Sequence, residues 1–179
     1  MLKIEPVATA ELSDVQKEAL KQLGAAVYTP EVISTLPARS ISWDSPQWSI
    51  FLWDHGELVS RVGLLVRETS CGGAMKRIGG IGGVLTHPTR QGQGLASLAM
   101  REAAKYFDAD LSVAFALLFC RSDLVDFYKR LLWQPFQGKV LVEQPGKGRI
   151  EFTINRAMVL DVKEQAPLHG EVDLKGLPW

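Results

Sequence analysis

The sequence predicts an α+β fold, a single domain over residues 1–179 with a mixed, mostly antiparallel sheet flanked by helices. Three observations predict it. Strand-like segments separated by tight-turn residues follow one another through the middle of the chain. Two stretches of helical period come after them, each beside a strand. The length suits one hydrophobic core, and 46% hydrophobic with 22% charged residues is the balance of a globular rather than a disordered chain.

Taken in order, residues 2–7 read as a short strand. Residues 11–23 read as a helix, with Ser13 and Gln16 suited to a capping box and Gly24 placed just past the end. Residues 28–47 are rich in Pro, Ser and Trp and read as irregular. At that length they are either a binding loop or contain a short helix. Residues 48–53 and 57–68 are strands joined by Asp54-His55-Gly56, which is tight-hairpin chemistry. Gly72-Gly73 makes a second turn. Residues 75–86 form a third strand of the meander, although they carry Gly79, Gly80, Gly82 and Gly83. Over residues 91–107, Leu95, Leu98, Ala99, Ala103 and Tyr106 share one helix face. Residues 113–120 are a buried strand. Leu124, Phe127, Tyr128 and Leu131 make residues 123–132 a second amphipathic helix. Residues 137–143 and 149–160 are closing strands around a Pro-Gly-Lys-Gly turn, and residues 162–179 show no period.

Composition excludes several functions. Twenty basic side chains balance twenty acidic ones, so the basic excess of a nucleic-acid binder is absent and no nucleic-acid partner is expected. The longest apolar run, residues 113–120, is far too short to span a membrane. The first fifteen residues lack the apolar core of a signal peptide. Cys71 and Cys120 have no metal-binding spacing and read as free thiols of a reducing compartment. A cytoplasmic protein with no metal and no membrane partner is expected.

The chemistry concentrates in Gln91-Gly92-Gln93-Gly94-Leu95-Ala96, between a strand and a helix. A helix start carries unpartnered N–H groups and a partial positive charge, which suit a phosphate. Glycine lets backbone come close to such an anion. No Gly-Lys-Ser/Thr follows, so a nucleoside-triphosphate loop is not supported. Ser97 stands where a dinucleotide fingerprint needs its third glycine. Read alone, the hexapeptide could equally be an ordinary strand-to-helix turn.

The stretch resembles the acyl-CoA motif of the Gcn5-related N-acetyltransferases (GNAT superfamily). Gln91, Gly94 and Ala96 match the motif, and Val84 and Pro88 occupy the strand and loop-opening positions. The order of elements agrees with that family's fold over nearly the whole chain. "FYKRLLW", residues 127–133, is similar to its Phe-Tyr-x-x-x-Gly-Phe segment, with Leu132 in place of the glycine. From Trp48 onward the chain is similar to the aminoglycoside 2′-N-acetyltransferase branch. This rests on "IFLWDHGELVSRVGLLVRE", "GGAMKRIGGIGGVLTHPTRQGQGLAS", "DFYKRLLWQPFQG" and "LKGLPW".

The resemblance implies an acyltransferase with acetyl-CoA as cosubstrate and a small-molecule primary amine as acceptor, an amino sugar or aminoglycoside-like compound. It implies that Val84, Leu85 and Thr86 pair with the pantetheine arm. Gln91, Gly92, Gln93, Gly94, Leu95 and Ala96 hold the pyrophosphate. Residues 162–179 are a tail that brings Trp179 to the acceptor, beside Gly82 and Gly83. Glu31 lies near the acidic residue expected in the first long loop. The resemblance is also compatible with a homodimer. There are departures. Gly82 stands where the branch has a glutamate, Leu177 where it has an aspartate, and Gly146-Lys147-Gly148-Arg149 where it has an acidic run. Carboxylates are the natural holders of a polycation, so a highly charged aminoglycoside fits poorly, while acetyl-CoA use is untouched.

Direct attack of the amine on the thioester needs a polarised carbonyl, a neutral amine and an acid for the thiolate. The N–H of Val84 is the candidate oxyanion donor, with the nearby glycines allowing a bulge or, equally, close packing. Tyr128 is the general acid by resemblance, its ordinary phenol matching a departing thiol; otherwise it is a core tyrosine. The terminal carboxylate of Trp179 is the candidate amine binder or base. His87, by strand parity, points away from Gly82. Trp43, Trp48 and Trp53 line an apolar pocket or belong to the core. Cys120 lacks a histidine to activate it. Two other readings remain open, a longer-chain acyltransferase and a CoA-binding module without catalysis.

Overall fold

The computed structural model describes residues 1–36 and 40–179. Its sheet is laid around one long hairpin, β3 (Glu57–Cys71) and β4 (Ala74–Thr86), antiparallel over most of its length. β1 (Leu2–Ala8) and β2 (Trp48–Asp54) extend it antiparallel beyond the first half of β3. On the other side β5 (Phe115–Cys120) joins β4 in parallel, followed by β9 (Arg156–Asp161) and the two-residue β6 (Gln134–Pro135). The far end of β3 carries β10 (Glu171–Asp173), then β7 (Lys139–Gln144) and β8 (Gly148–Glu151).

The helices follow local chemistry. α1 (Asp14–Val27) starts on Ser13, whose capping box with Gln16 is formed. It runs past Gly24, so that glycine is not its end; Tyr28 N–H closes on the Gly24 carbonyl instead. The long segment after it contains a short helix, α2 (Pro30–Thr35), started by Thr29 and Pro30. Residues 37–39 of the segment lie outside the described residues. The hairpin turn is as expected, with His55 and Gly56 both at positive φ. α3 (Leu95–Ala109) begins four residues later than its pattern suggests, because residues 91–94 are the turn. α4 (Val125–Lys129) is only the middle of the helix expected over 123–132. The strand expected over 149–160 is broken between β8 and β9, and the tail contains β10.

Both sheet faces are covered, which is why β5 reads as a continuous apolar run. On one face α3 lays Ala99, Met100, Ala103 and Phe107 against Leu64, Ile81 and Leu118. On the other, α1 covers Leu58 and Leu85 with Leu23, and the tail covers Leu65, Leu117 and Val159 with Leu174 and Trp179. Each fully buried side chain of the Phe107 or Leu118 kind contributes about 1.5–3 kcal/mol.

Candidate active site

β4 and β5 are paired only at Gly79, Gly80 and Ile81 against Ala116, Leu117 and Leu118. Beyond Ile81 they separate. A cleft of about 410 Å³ opens in the wedge, walled by Gly82, Gly83 and Val84 on one side and Phe119 and Cys120 on the other, with Tyr128 and Trp179 also lining it. The parting has a local cause. Arg61 pairs with Leu85 and Gly63 with Gly82, so Gly83 and Val84 together oppose Val62. This is a β-bulge, with Gly83 at φ +57°, and bulges bend a strand and increase its twist. Val84 therefore has no register partner on either neighbouring strand. The bulge also shifts the alternation, so Gly82 and Leu85 face the same side and the parity argument for His87 does not hold. His87 is nonetheless outside the cleft, where it caps the turn of residues 88–90 by accepting from Thr89 N–H.

The glycines of β4 are needed for close approach. A Cβ would stand 2.6 Å from the Phe107 ring at Gly79 and 2.2 Å from the Trp179 ring at Gly80. At Gly82 it would be 3.0 Å from the Trp179 carboxyl carbon, and at Gly83 2.1 Å from Arg61 Nη1. Bulge and packing, the two readings of this run, are both realised. Trp179 is buried, donates from Nε1 to the Leu117 carbonyl at 3.0 Å and lies under the Arg67 guanidinium at 5.0 Å. Arg67 also donates to the Leu174 and Leu177 carbonyls and pairs with Asp44. That clamp carries the tail to the cleft.

The turn before α3 is exposed, with Gly92 and Gly94 at φ +76° and +77°. Gly94 is the N-cap in a left-handed conformation, and no acidic residue stands in the first turn. Among the described residues, no protein group accepts from the N–H groups of residues 94–97, and the first bond of the helix is from Leu98 N–H to the Gly94 carbonyl. Gln91 Nε2 donates back to the Thr86 carbonyl and Gln93 accepts from Arg90, tying the turn to the end of β4. Leu95 is buried under the helix and Leu85 in the core beneath α1, while Thr86 Oγ1 meets Ser60 Oγ at 2.9 Å.

Tyr128 is packed edge-on against Phe127 and Trp133. Burial pushes its phenol well above the ordinary value, with Cys120 and Tyr28 adding to the shift. Burial likewise lifts the Cys120 thiol to about 11, with a smaller contribution from Asp123. Cys120 is therefore no nucleophile at neutral pH. Glu31 sits exposed on α2 and does not line the cleft. Of the three tryptophans, Trp43 lines the cleft and packs edge-on against Phe152. Trp48 packs on the main core, and Trp53 donates to Glu5 at 2.8 Å. Sequence reasoning missed Arg61 and Asn155, both on the cleft wall. Arg61 lies within one of the stretches that carry the resemblance but has no role assigned there, and Asn155 lies in none of them. Among the described residues no group of His, Cys, Asp and Glu could hold a metal ion, and no helix is long and apolar enough to cross a membrane.

A cleft between parting strands beside an open helix start can take an elongated ligand that carries a diphosphate. The chain belongs to the GNAT acetyltransferases: the model of the family described as "Acetyltransferase (GNAT) domain" matches residues 13–136, more than half of it. No curated protein sequence matches. Among solved structures, Escherichia coli ElaA is similar over 90% of this chain and 100% of its own, with a TM-score of 0.62 at 20% identity. A Brucella melitensis GNAT family acetyltransferase in complex with acetyl-CoA is similar over 95% and 94%, with a TM-score of 0.58 at 16% identity. E. coli YhbS in complex with CoA is similar over 98% and 89%, with a TM-score of 0.60 at 13% identity. At such identities the likeness concerns the fold.

Proposed function

We propose that the protein transfers the acetyl group of acetyl-CoA directly to a primary amine of a small molecule. The observation that carries this reading is the wedge between β4 and β5, opening beside unpartnered N–H groups at the start of α3. The diphosphate of CoA fits those N–H groups, where glycine leaves room and the helix start favours negative charge. The pantetheine arm fits the free edge of β4 beyond Ile81. Family membership and the neighbours bound to acetyl-CoA and CoA support the same donor.

The amine attacks the thioester carbon, forming the N–C bond as the C–S bond breaks and CoA leaves as the thiolate, which takes its proton from solvent. Val84 N–H, freed by the bulge, polarises the carbonyl; a donor so placed is typically worth about 10²–10³ in rate. The Trp179 carboxyl group, standing over Gly82, takes the proton of the amine. The phenol of Tyr128 is too weak an acid, once buried, to match a thiol. It keeps its proton and donates a hydrogen bond to the departing sulfur. A protonated Cys120 favours direct transfer over an acyl-enzyme.

The test is a thiol-release assay with acetyl-CoA over a panel of amines, paired with thermal shift. Amine-dependent release is expected, and Tyr128→Phe should lower kcat about a hundredfold with CoA affinity unchanged. Stabilisation by acetyl-CoA without release would leave a binding module, and faster turnover of longer acyl donors would make the protein a longer-chain acyltransferase. Amino sugars and aminoglycosides belong in the panel as the acceptors the branch resemblance suggests. Asp44, the only acidic side chain among the described cleft-lining residues, is already paired with Arg67, which does not favour a polycation.

A further inference from the structure

Arg61 is a buried cation that no acidic side chain meets among the described residues. It is 8% exposed, points from β3 to the cleft wall and forms no ion pair among the described residues. A guanidinium has five N–H donors in a planar fork. Nε of Arg61 donates to Ser49 Oγ at 3.0 Å and Nη1 to the Gly83 carbonyl at 3.1 Å. Among the described residues Nη2 has no hydrogen-bond partner, and it is not among the sealed, unsatisfied polar atoms. Burial lowers the pKa of the group only to about 10, so it stays charged at neutral pH. Such a charge needs an anion.

One atom is sealed and unsatisfied among the described residues, and it belongs to the same cleft: Asn155 Oδ1, an acceptor without a donor. Leu36, Trp43 and Phe119 make much of the remaining wall apolar.

Resting on the acetyl-transfer reading above, we propose that the acceptor is a small amino carboxylate with an apolar substituent, the chemistry of a free hydrophobic amino acid. Its carboxylate is held by the open edge of the Arg61 fork and an N–H of its amine by Asn155 Oδ1. Planar guanidinium suits a carboxylate, and because Arg121, the second arginine on the wall, is already paired with Asp123, the one free guanidinium among the described cleft residues suits a single negative charge rather than a phosphate.

Arg61 also pins the bulge through Gly83, so the test must separate holding a ligand from holding the strand. Wild type, Arg61→Lys and Asn155→Ala are assayed at saturating acetyl-CoA with leucine, phenylalanine and methionine. Isoamylamine and phenethylamine, which lack the carboxylate, and kanamycin are run in parallel. Wild type should prefer each amino acid to its decarboxylated partner by about a hundredfold in kcat/KM. Arg61→Lys should shrink that preference through KM, and Asn155→Ala should weaken amino acids and amines alike. Equal kcat/KM within the pairs would overturn the proposal, as would an equal loss on both sets in Arg61→Lys, which would leave Arg61 only a pin. Calorimetric titration of leucine and phenylalanine into the CoA-bound protein separates the two readings. Binding without turnover keeps this site and removes the transfer reading; turnover of amines with no amino-acid binding removes only this site.

Discussion

On β4, a Cβ added at Gly80 would land 2.2 Å from the Trp179 ring and one at Gly83 2.1 Å from Arg61, whereas at Gly92 or Gly94 it would meet nothing within 4 Å. The strand glycines are filled from within. Each missing side chain is a seat for a group the protein itself supplies. The turn glycines are left open, and positive φ rather than crowding explains them. One residue type thus serves assembly of the cleft in one place and access to it in the other, and substitution should separate the two uses.

The largest effect is expected at Gly80→Ala. The methyl group and the Trp179 ring cannot share one place, so the ring must leave, or β4 must shift against β3. Overpacking of this kind costs about 1–3 kcal/mol, lowering Tm by roughly 3–10 °C in a chain of this size. Differential scanning calorimetry and a red shift of tryptophan emission would read it; an unchanged Tm would break the contrast. Gly94→Ala comes next and acts differently. It meets no neighbour, and its left-handed conformation costs about 1 kcal/mol. The tilt it imposes on the first N–H groups of α3 should weaken CoA about tenfold by calorimetric titration. A Gly94→Ala protein that bound CoA normally would show that the turn is only a turn.

What the sequence could and could not reveal follows from distance along the chain. The Ser13–Gln16 box, the His55-Gly56 turn and the apolar face of α3 are local patterns, and all were readable. The partners of the strand glycines were not, because Trp179 reaches Gly80 from the other end of the chain and Phe107 reaches Gly79 from a helix. Arg61 looks like any polar strand residue until the bulge at Gly83 and Val84 folds a carbonyl onto it. Asn155 lies where the apolar pattern of residues 149–160 reads as unbroken, although β8 ends before it and β9 begins after it. β10 escaped because three residues carry no period. The turn of residues 91–96 was legible because the helix start and the glycines that open it are adjacent in sequence.

The smallest expected effect is a gain, at a position where glycine is missing. Leu132 holds φ +70° and is 78% exposed. Its N–H bonds to the Lys129 carbonyl and that of Trp133 to the Tyr128 carbonyl, the paired bonds of a Schellman end in which the left-handed residue is usually glycine. A bulky residue there costs about 1–2 kcal/mol, of which the extra unfolded-state freedom of glycine returns about half. Leu132→Gly should therefore raise stability by about 0.5–1 kcal/mol, some 1–4 °C in Tm, with little packing lost from so exposed a side chain. Because the same two bonds fix the end of the helix that carries Tyr128, kcat should stay within about twofold. A loss of stability would mean that the side chain of Leu132, and not the backbone turn it strains, is what holds that helix in place.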